Sequence, residues 1–252
     1  MSDFDRNVAA RGGFADRAAA VDAGLRAYML RVYNYMAAAV ALTGVVAYAT
    51  FNAAVVTDAS GKITALTPFG QTIFSGPLSI VLLLGTLGLV FFISFRINRL
   101  QYTTAMTLFM LYAALLGVTL SSIFLAYTGA SITRVFFISA ASFGALSLYG
   151  YTTQRDLSPM GSFMIMGLFG IIIASLVNIF LKSSGLDWAI SIIGIGVFAG
   201  LTAWDTQRIK EMYDSMDDDG TMGRKAIMGA LSLYLDFINL FLMLLRLVGD
   251  RR

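Results

Sequence analysis

Residues 226–248 read AIMGALSLYLDFINLFLMLLRLV, twenty-three residues that are apolar almost throughout, with one carboxylate near the middle. A hydrocarbon core of about 30 Å takes about 20 such residues as a helix, so the run reads as a membrane span. Asp236 lies ten residues into it, about 15 Å from its start at a rise of about 1.5 Å per residue. An ionised carboxylate at that depth costs on the order of 3 kcal/mol on insertion scales. The helix must therefore turn Asp236 towards other helices or a wet cavity. Ser232, Asp236 and Asn239 fall at i, i+4 and i+7 and make one polar stripe. The plain alternative is an aspartate that hydrogen-bonds a neighbouring helix for packing. Ionisable groups inside a membrane are functional by default, and that favours a working site.

The rest of the chain belongs to the same class. Hydrophobic residues make up 58% of 252, charged residues only 13%, and there are three prolines; the mean hydropathy is +0.75. A soluble domain carries roughly 25% charged residues. Six more runs match the first, at Leu30–Phe51, Pro77–Phe95, Thr103–Tyr127, Ile132–Thr152, Met160–Leu181 and Trp188–Trp204. The chain divides into a polar tail at 1–28, a seven-span all-α membrane domain at 29–249 and a short carboxyl-terminal tail at 250–252. The tail at 1–28 mixes Asp and Arg with Ala and lacks the order of a signal peptide. It fits either a loose segment or an amphipathic helix leading into the first span. The link at 52–76, with Gly61, Pro68 and Gly70, is the longest, and the one at 205–225 is mixed in charge.

Lys and Arg gather on the cytoplasmic side of membrane proteins. With the amino terminus inside, twelve fall on the inner side and six on the outer, which predicts a cytoplasmic amino terminus. The basic residues flank apolar spans, so the net charge of +3 points to no nucleic-acid partner; the lipid bilayer is the partner the composition requires. There is no cysteine and no histidine. Disulfides, thiol chemistry and the usual pH switch are therefore excluded, and proton sensing would fall to carboxylates. Gly85 and Gly88, Gly167 and Gly170, and Gly196 and Gly200 sit at spacings that let helices approach closely. The run 194–200 superficially suggests a dinucleotide loop, but its spacing is wrong and it lies inside an apolar helix.

Asp205 is the natural partner of Asp236. It directly follows the run 188–204, and Thr206–Met216 lacks glycine and proline. A helix that continues inward puts Asp205 about level with Asp236. Two facing carboxylates in a poorly solvated site cannot both ionise cheaply. The pair would then share a proton and switch without histidine. The alternative is a boundary aspartate paired with Arg208 or Lys210. Arg96 and Arg99, in the tight inner turn after the second span, could latch Asp205, or could simply set topology. Asp217-Asp218-Asp219-Gly220 fails as a calcium loop, because aligning Gly220 places Ala226 where a bidentate glutamate belongs.

Three motifs carry a family resemblance: Ala-Leu-Ser-Leu-Tyr-Leu-Asp-Phe-Ile-Asn-Leu-Phe (230–241), Trp-Asp-Thr-Gln-Arg-Ile (204–209) and Gly-Tyr-Thr-Thr-Gln-Arg-Asp-Leu-Ser (150–158). In order and position they resemble the bacterial branch of the Bax inhibitor-1 (transmembrane Bax inhibitor motif) family, over about residues 28–249. The resemblance implies a seven-helix bundle of the bacterial inner membrane with the last helix central and wrapped by the other six. It implies a pH-sensitive calcium leak whose two-aspartate sensor is Asp205 and Asp236. Calcium would meet the protein at those two residues as transported ion, with no cofactor. It also implies an arginine latch at the inner end of the second helix. Arg99 fits a count back from the third span and is placed first; Arg96 fits the end of the second. Some members carry an acidic residue in the second span, and 77–95 here has none.

Three functions compete. The first is a passive calcium pathway gated by protons at Asp205 and Asp236. The second is a regulatory interaction protein, since bacterial relatives are associated with a membrane-anchored protease, and the tail 1–28 would be the contact. The third is an intramembrane aspartyl protease, which would be expected to show Gly-x-Gly-Asp; neither aspartate has it. A retinal protein is excluded because the last span has no lysine. The first reading is non-enzymatic and is preferred.

Overall fold

Lipid offers no water to amide groups, so each spanning segment must satisfy its own backbone as a helix. The computed structural model follows this rule. It describes the backbone of residues 3–58 and 62–252, and the side chains of 21–58 and 62–252. In chain order come α1 (Asp3–Ala54), β1 (Val55–Thr57), β2 (Ile63–Leu66), α2 (Pro68–Phe74), α3 (Pro77–Arg96), a 3-10 turn (Ile97–Arg99), α4 (Tyr102–Leu120), α5 (Ile123–Ala126), α6 (Gly129–Thr152), α7 (Ser158–Leu181), α8 (Ser184–Glu211) and α9 (Asp219–Val248). Seven helical stretches are long and apolar enough to cross a membrane; six contain the expected spans, and the seventh, expected at Thr103–Tyr127, ends at Ala126 and is broken between α4 and α5.

The differences lie at the links. In the segment 52–76, the first three residues end α1, and an antiparallel hairpin, β1 against β2, and the short α2 follow; Gly61 lies outside the described residues. Most of the 205–225 link is helical. α8 runs on to Glu211, as the lack of glycine and proline allowed, and α9 begins at Asp219. Asp218 caps α9 by accepting from the Gly220 and Thr221 amides. The Thr221 hydroxyl, with its amide, holds the Asp218 carboxyl below the ordinary carboxylate range. Asp217 pairs with Lys225. The stretch 1–28 enters the fold, from Asp3 onward, as the leading turns of α1; the side chains of 1–20 lie outside the described residues.

α9 is the central helix. Two-thirds of its apolar window is buried (67%), against 44% for α8 and 6–28% for the others. α1, α4, α6 and α8 pack on it directly, whereas α3 packs chiefly on α4 and α7 on α8. Four helices, not six, therefore form the wrapping layer, and α3 and α7 face lipid on most sides. Tyr234 of α9 is fully buried, and its hydroxyl lies 2.6 Å from Thr43 Oγ1, which is 2.9 Å from the Ala113 carbonyl. One hydroxyl cluster so ties α1, α4 and α9. At the far end, the tail 250–252 is stitched down: the Thr128 amide donates to the Asp250 carbonyl, the Asp250 amide to Ser131 Oγ, and the Arg252 amide to the Ala126 carbonyl.

Glycine spacing foretold contact only in part. A Cβ at Gly167 would meet Val197, and one at Gly200 would meet Met164, which is the α7–α8 contact. At Gly85, Gly88, Gly170 and Gly196 the space is open. The closest approach among the spans involves Gly150, where a Cβ would collide with the Ala203 carbonyl. Only glycine lets α6 reach the α8 backbone there. Gly150→Ala should lower stability by about 1–3 kcal/mol through overpacking, read as a fall in the thermal midpoint in detergent, whereas Gly85→Ala should leave it unchanged.

Candidate functional site

The residues that carry chemistry lie where α8 crosses α9. Successive residues of a helix point about 100° apart, so the hexapeptide 204–209 reaches several neighbours at once. Trp204 lies against Gly161 of α7. Asp205 and Thr206 are buried, at 8% and 0% exposure, and Ile209 is wholly enclosed. Thr206 donates to the Thr202 carbonyl at 2.8 Å, and its Oγ1 lies 2.9 Å from Ser147 Oγ, itself 2.6 Å from the Tyr33 hydroxyl. This line of hydroxyls joins α8, α6 and α1.

Asp205 and Asp236 are brought together. Asp236 is 5% exposed, and the two carboxyl groups lie within hydrogen-bonding reach of one another. Helix continuation past Trp204 makes this possible. Arg208, one turn beyond Asp205, reaches back with Nη2 3.1 Å from Asp205 Oδ1. The same nitrogen is 3.5 Å from Ser232 Oγ, and the guanidinium stacks 4.8 Å from the Trp204 ring. Asp205 Oδ1, Arg208 Nε and Asp236 Oδ2 are buried without a hydrogen-bond partner, the Arg208–Asp205 contact being an ion pair off hydrogen-bond geometry. An unsatisfied buried polar group costs about 1–3 kcal/mol, so three in one cluster make this the least settled part of the interior.

The other expected residues separate. Ser232 joins the cluster through Arg208. Asn239 turns to its own helix, donating to the Leu235 carbonyl at 2.8 Å. Arg96 and Arg99 lie at the same end of the bundle as Asp205 but are exposed and form no ion pair among the described residues. The guanidinium against Asp205 is that of Arg208, because an i, i+3 partner on the continued helix is already in place. Among the described residues no group of three or more carboxylates is placed so as to hold a metal ion. Calcium takes six to eight oxygen ligands, of which the two aspartates would supply a part, and one of them faces a guanidinium.

Gln207 escaped the sequence reading. Its Oε1 accepts from the Leu157 amide at 2.8 Å, and its Nε2 donates to the Arg155 carbonyl at 2.8 Å. Lys210 Nζ donates to the Tyr151 carbonyl at 2.9 Å. Together they bind the turn between α6 and α7 to the end of α8. A glutamine at a span boundary carries no signal of its own; its place between two charged motif residues was the one clue.

The chain is similar to known proteins along nearly its whole length. The model of the family described as inhibitor of apoptosis-promoting Bax1 matches residues 25–252. A protein of Rickettsia prowazekii is 53% identical over 231 residues, covering 92% of either chain. The inner membrane protein YbhL of Escherichia coli is 48% identical over 232 residues, 91% of this chain and 94% of that one. A protein of Caulobacter vibrioides is 42% identical over 259 residues and covers both chains fully.

Gln207→Ala removes both hydrogen bonds to the α6–α7 turn and should cost about 1–3 kcal/mol. The expected readout is a lower melting midpoint together with faster hydrogen exchange at the Leu157 amide.

Proposed function

We propose that this chain, which belongs to the Bax inhibitor-1 family, is a proton-gated calcium leak of the bacterial inner membrane. The observation that carries the reading is the buried Asp205–Asp236 pair with Arg208 against one member and an unpartnered oxygen on the other. Carboxyl groups that close cannot both stay bare; they hold a proton between them. The remaining negative charge belongs beside the guanidinium, on Asp205. The dyad then has one proton and one ion pair, and the helices stay together. A second proton removes the charge that Arg208 faces, the contact opens, and α8 is free to move against α9. Once Arg208 swings away, the two neutral carboxyl groups offer carbonyl oxygen to a passing cation, a ligand type that a hard ion such as calcium accepts. In this scheme the latch is Arg208, and Arg96 and Arg99 serve orientation. The guanidinium also favours a gate over a proteolytic dyad, which needs both carboxyl groups open to substrate.

The inner-membrane placement rests on YbhL, and a cytoplasmic amino terminus rests on the twelve-to-six bias of Lys and Arg. A second reading, regulation of a membrane-anchored protease, is supported by the length of α1. Its 52 residues extend about 78 Å, more than twice a hydrocarbon core of about 30 Å. The excess helix would offer a contact outside the bilayer. Deleting residues 1–20 separates the roles: lost partner binding with intact flux assigns the contact to that helix, and unaltered binding removes it.

In proteoliposomes, calcium flux through the wild type should rise as pH falls, because protonation breaks the Arg208 contact. Asp205→Asn leaves Arg208 without a partner and should give high, pH-independent flux. Asp236→Asn removes the shared proton but leaves the Asp205–Arg208 pair and its titratable carboxyl, and should move the rise in flux to a different pH from the wild type. A wild-type pH profile in either variant rules out the gate.

A further inference from the structure

α1 and α6 lie side by side but barely touch. Between them runs a cavity of about 630 Å³, within the range of about 300–1,000 Å³ that ligand pockets occupy. Its α1 wall includes Arg26, Leu30 and Tyr33, at i, i+4 and i+7; its α6 wall includes Gly144, Ser147, Leu148 and Tyr151. Leu30 and Leu148, 52% and 63% exposed, form its lips. The opening is therefore lateral, between two spans, and faces the bilayer rather than water.

The wall specifies the occupant. The hydroxyls of Tyr33 and Ser147 are taken up in the line that ends on Thr206 and the Thr202 carbonyl, so neither is free for a polar ligand. What remains is apolar surface of a length and shape for a hydrocarbon chain. Charge appears only at one end. Arg26 lines the mouth and has no ion-pair partner among the described residues. Lys210 lies close by, 5.3 Å over the Tyr151 ring. No carboxylate lines the cavity. Basic pockets between spans attract anionic headgroups. A smaller cavity of about 220 Å³ continues the seam towards the other end, past Gly44 and Phe136. At both Gly44 and Gly144 an added Cβ would meet nothing within 4 Å.

We propose that the α1–α6 seam is a binding site for an anionic phospholipid, with one acyl chain between Leu30 and Leu148 and the phosphate on Arg26. The site is separate from the aspartate pair, and its test does not depend on ion flux. Two substitutions fall where the fold has room. Gly144→Leu fills the cavity from its α6 wall, and Arg26→Gln removes the charge at the mouth.

Purified protein is exchanged into detergent with equal amounts of phosphatidylglycerol and phosphatidylcholine, and retained lipid is counted by native mass spectrometry. The wild type should retain phosphatidylglycerol over phosphatidylcholine by about fivefold, the effect of one basic contact. Arg26→Gln should keep a lipid but bring that ratio to about one, and Gly144→Leu should lose the lipid while keeping the wild-type melting curve. Equal retention of the two lipids by the wild type overturns the headgroup assignment. Undiminished retention in Gly144→Leu overturns the seam as the site. A lipid-free dimer that Gly144→Leu dissociates would show that a second copy covers the seam, and would also overturn the proposal.

Discussion

A carboxylate cannot be left in hydrocarbon, and this constraint orders the bundle around Asp236. The helix that carries it is the one most enclosed by protein, and the two least enclosed, α3 and α7, carry no carboxylate and are left at the rim. Lipid gives no hydrophobic drive for helices to associate, so packing and polar contacts must do it. The polar contacts that cross between helices include three made by hydroxyls or carboxyls alone: Tyr234 with Thr43, Thr206 with Ser147 and Tyr33, and Asp205 with Asp236. The first two are fully satisfied and hold the frame. The third is not, and it sits where the frame is otherwise tightest.

Much of this was legible in the chain itself. Spans are read from hydropathy alone, because in lipid the solvent leaves only helices open to such runs. The inward extension of α8 was legible from a missing breaker rather than from apolarity, and it made Asp205 a partner of Asp236. The hairpin at 55–66 was not, since strands of three and four residues carry too little pattern. Glycine spacing defines a face but not what lies opposite it. Hence Gly167 and Gly200 found neighbours while Gly85 and Gly88 found none. The arginine of the site stayed ambiguous for a related reason. Several cations crowd one end of the bundle, and only the rotation of α8 decides that Arg208 is the one that turns back.

The six residues 204–209 concentrate the couplings of the molecule. Trp204 meets α7, Asp205 faces α9, Thr206 meets α6, and Gln207 holds the turn before α7. A rotation or slide of α8 cannot change one of these without disturbing the rest. Motion at the aspartate pair is therefore transmitted by rigid packing to three other helices, and the α6–α7 turn would register it first.

The position of α9 also bears on how the protein is made. The central helix follows the six others in the chain, so those six enter the bilayer before the element they surround exists. Until it arrives, Thr43 of α1 lacks the Tyr234 hydroxyl, Asp205 lacks its carboxyl partner, and the α1, α4, α6 and α8 faces have only one another or lipid to contact. Biogenesis of this bundle is thus a closing step, not a stepwise accretion. The late insertion of the helix that carries Asp236 is the event on which the final packing of the six earlier spans waits.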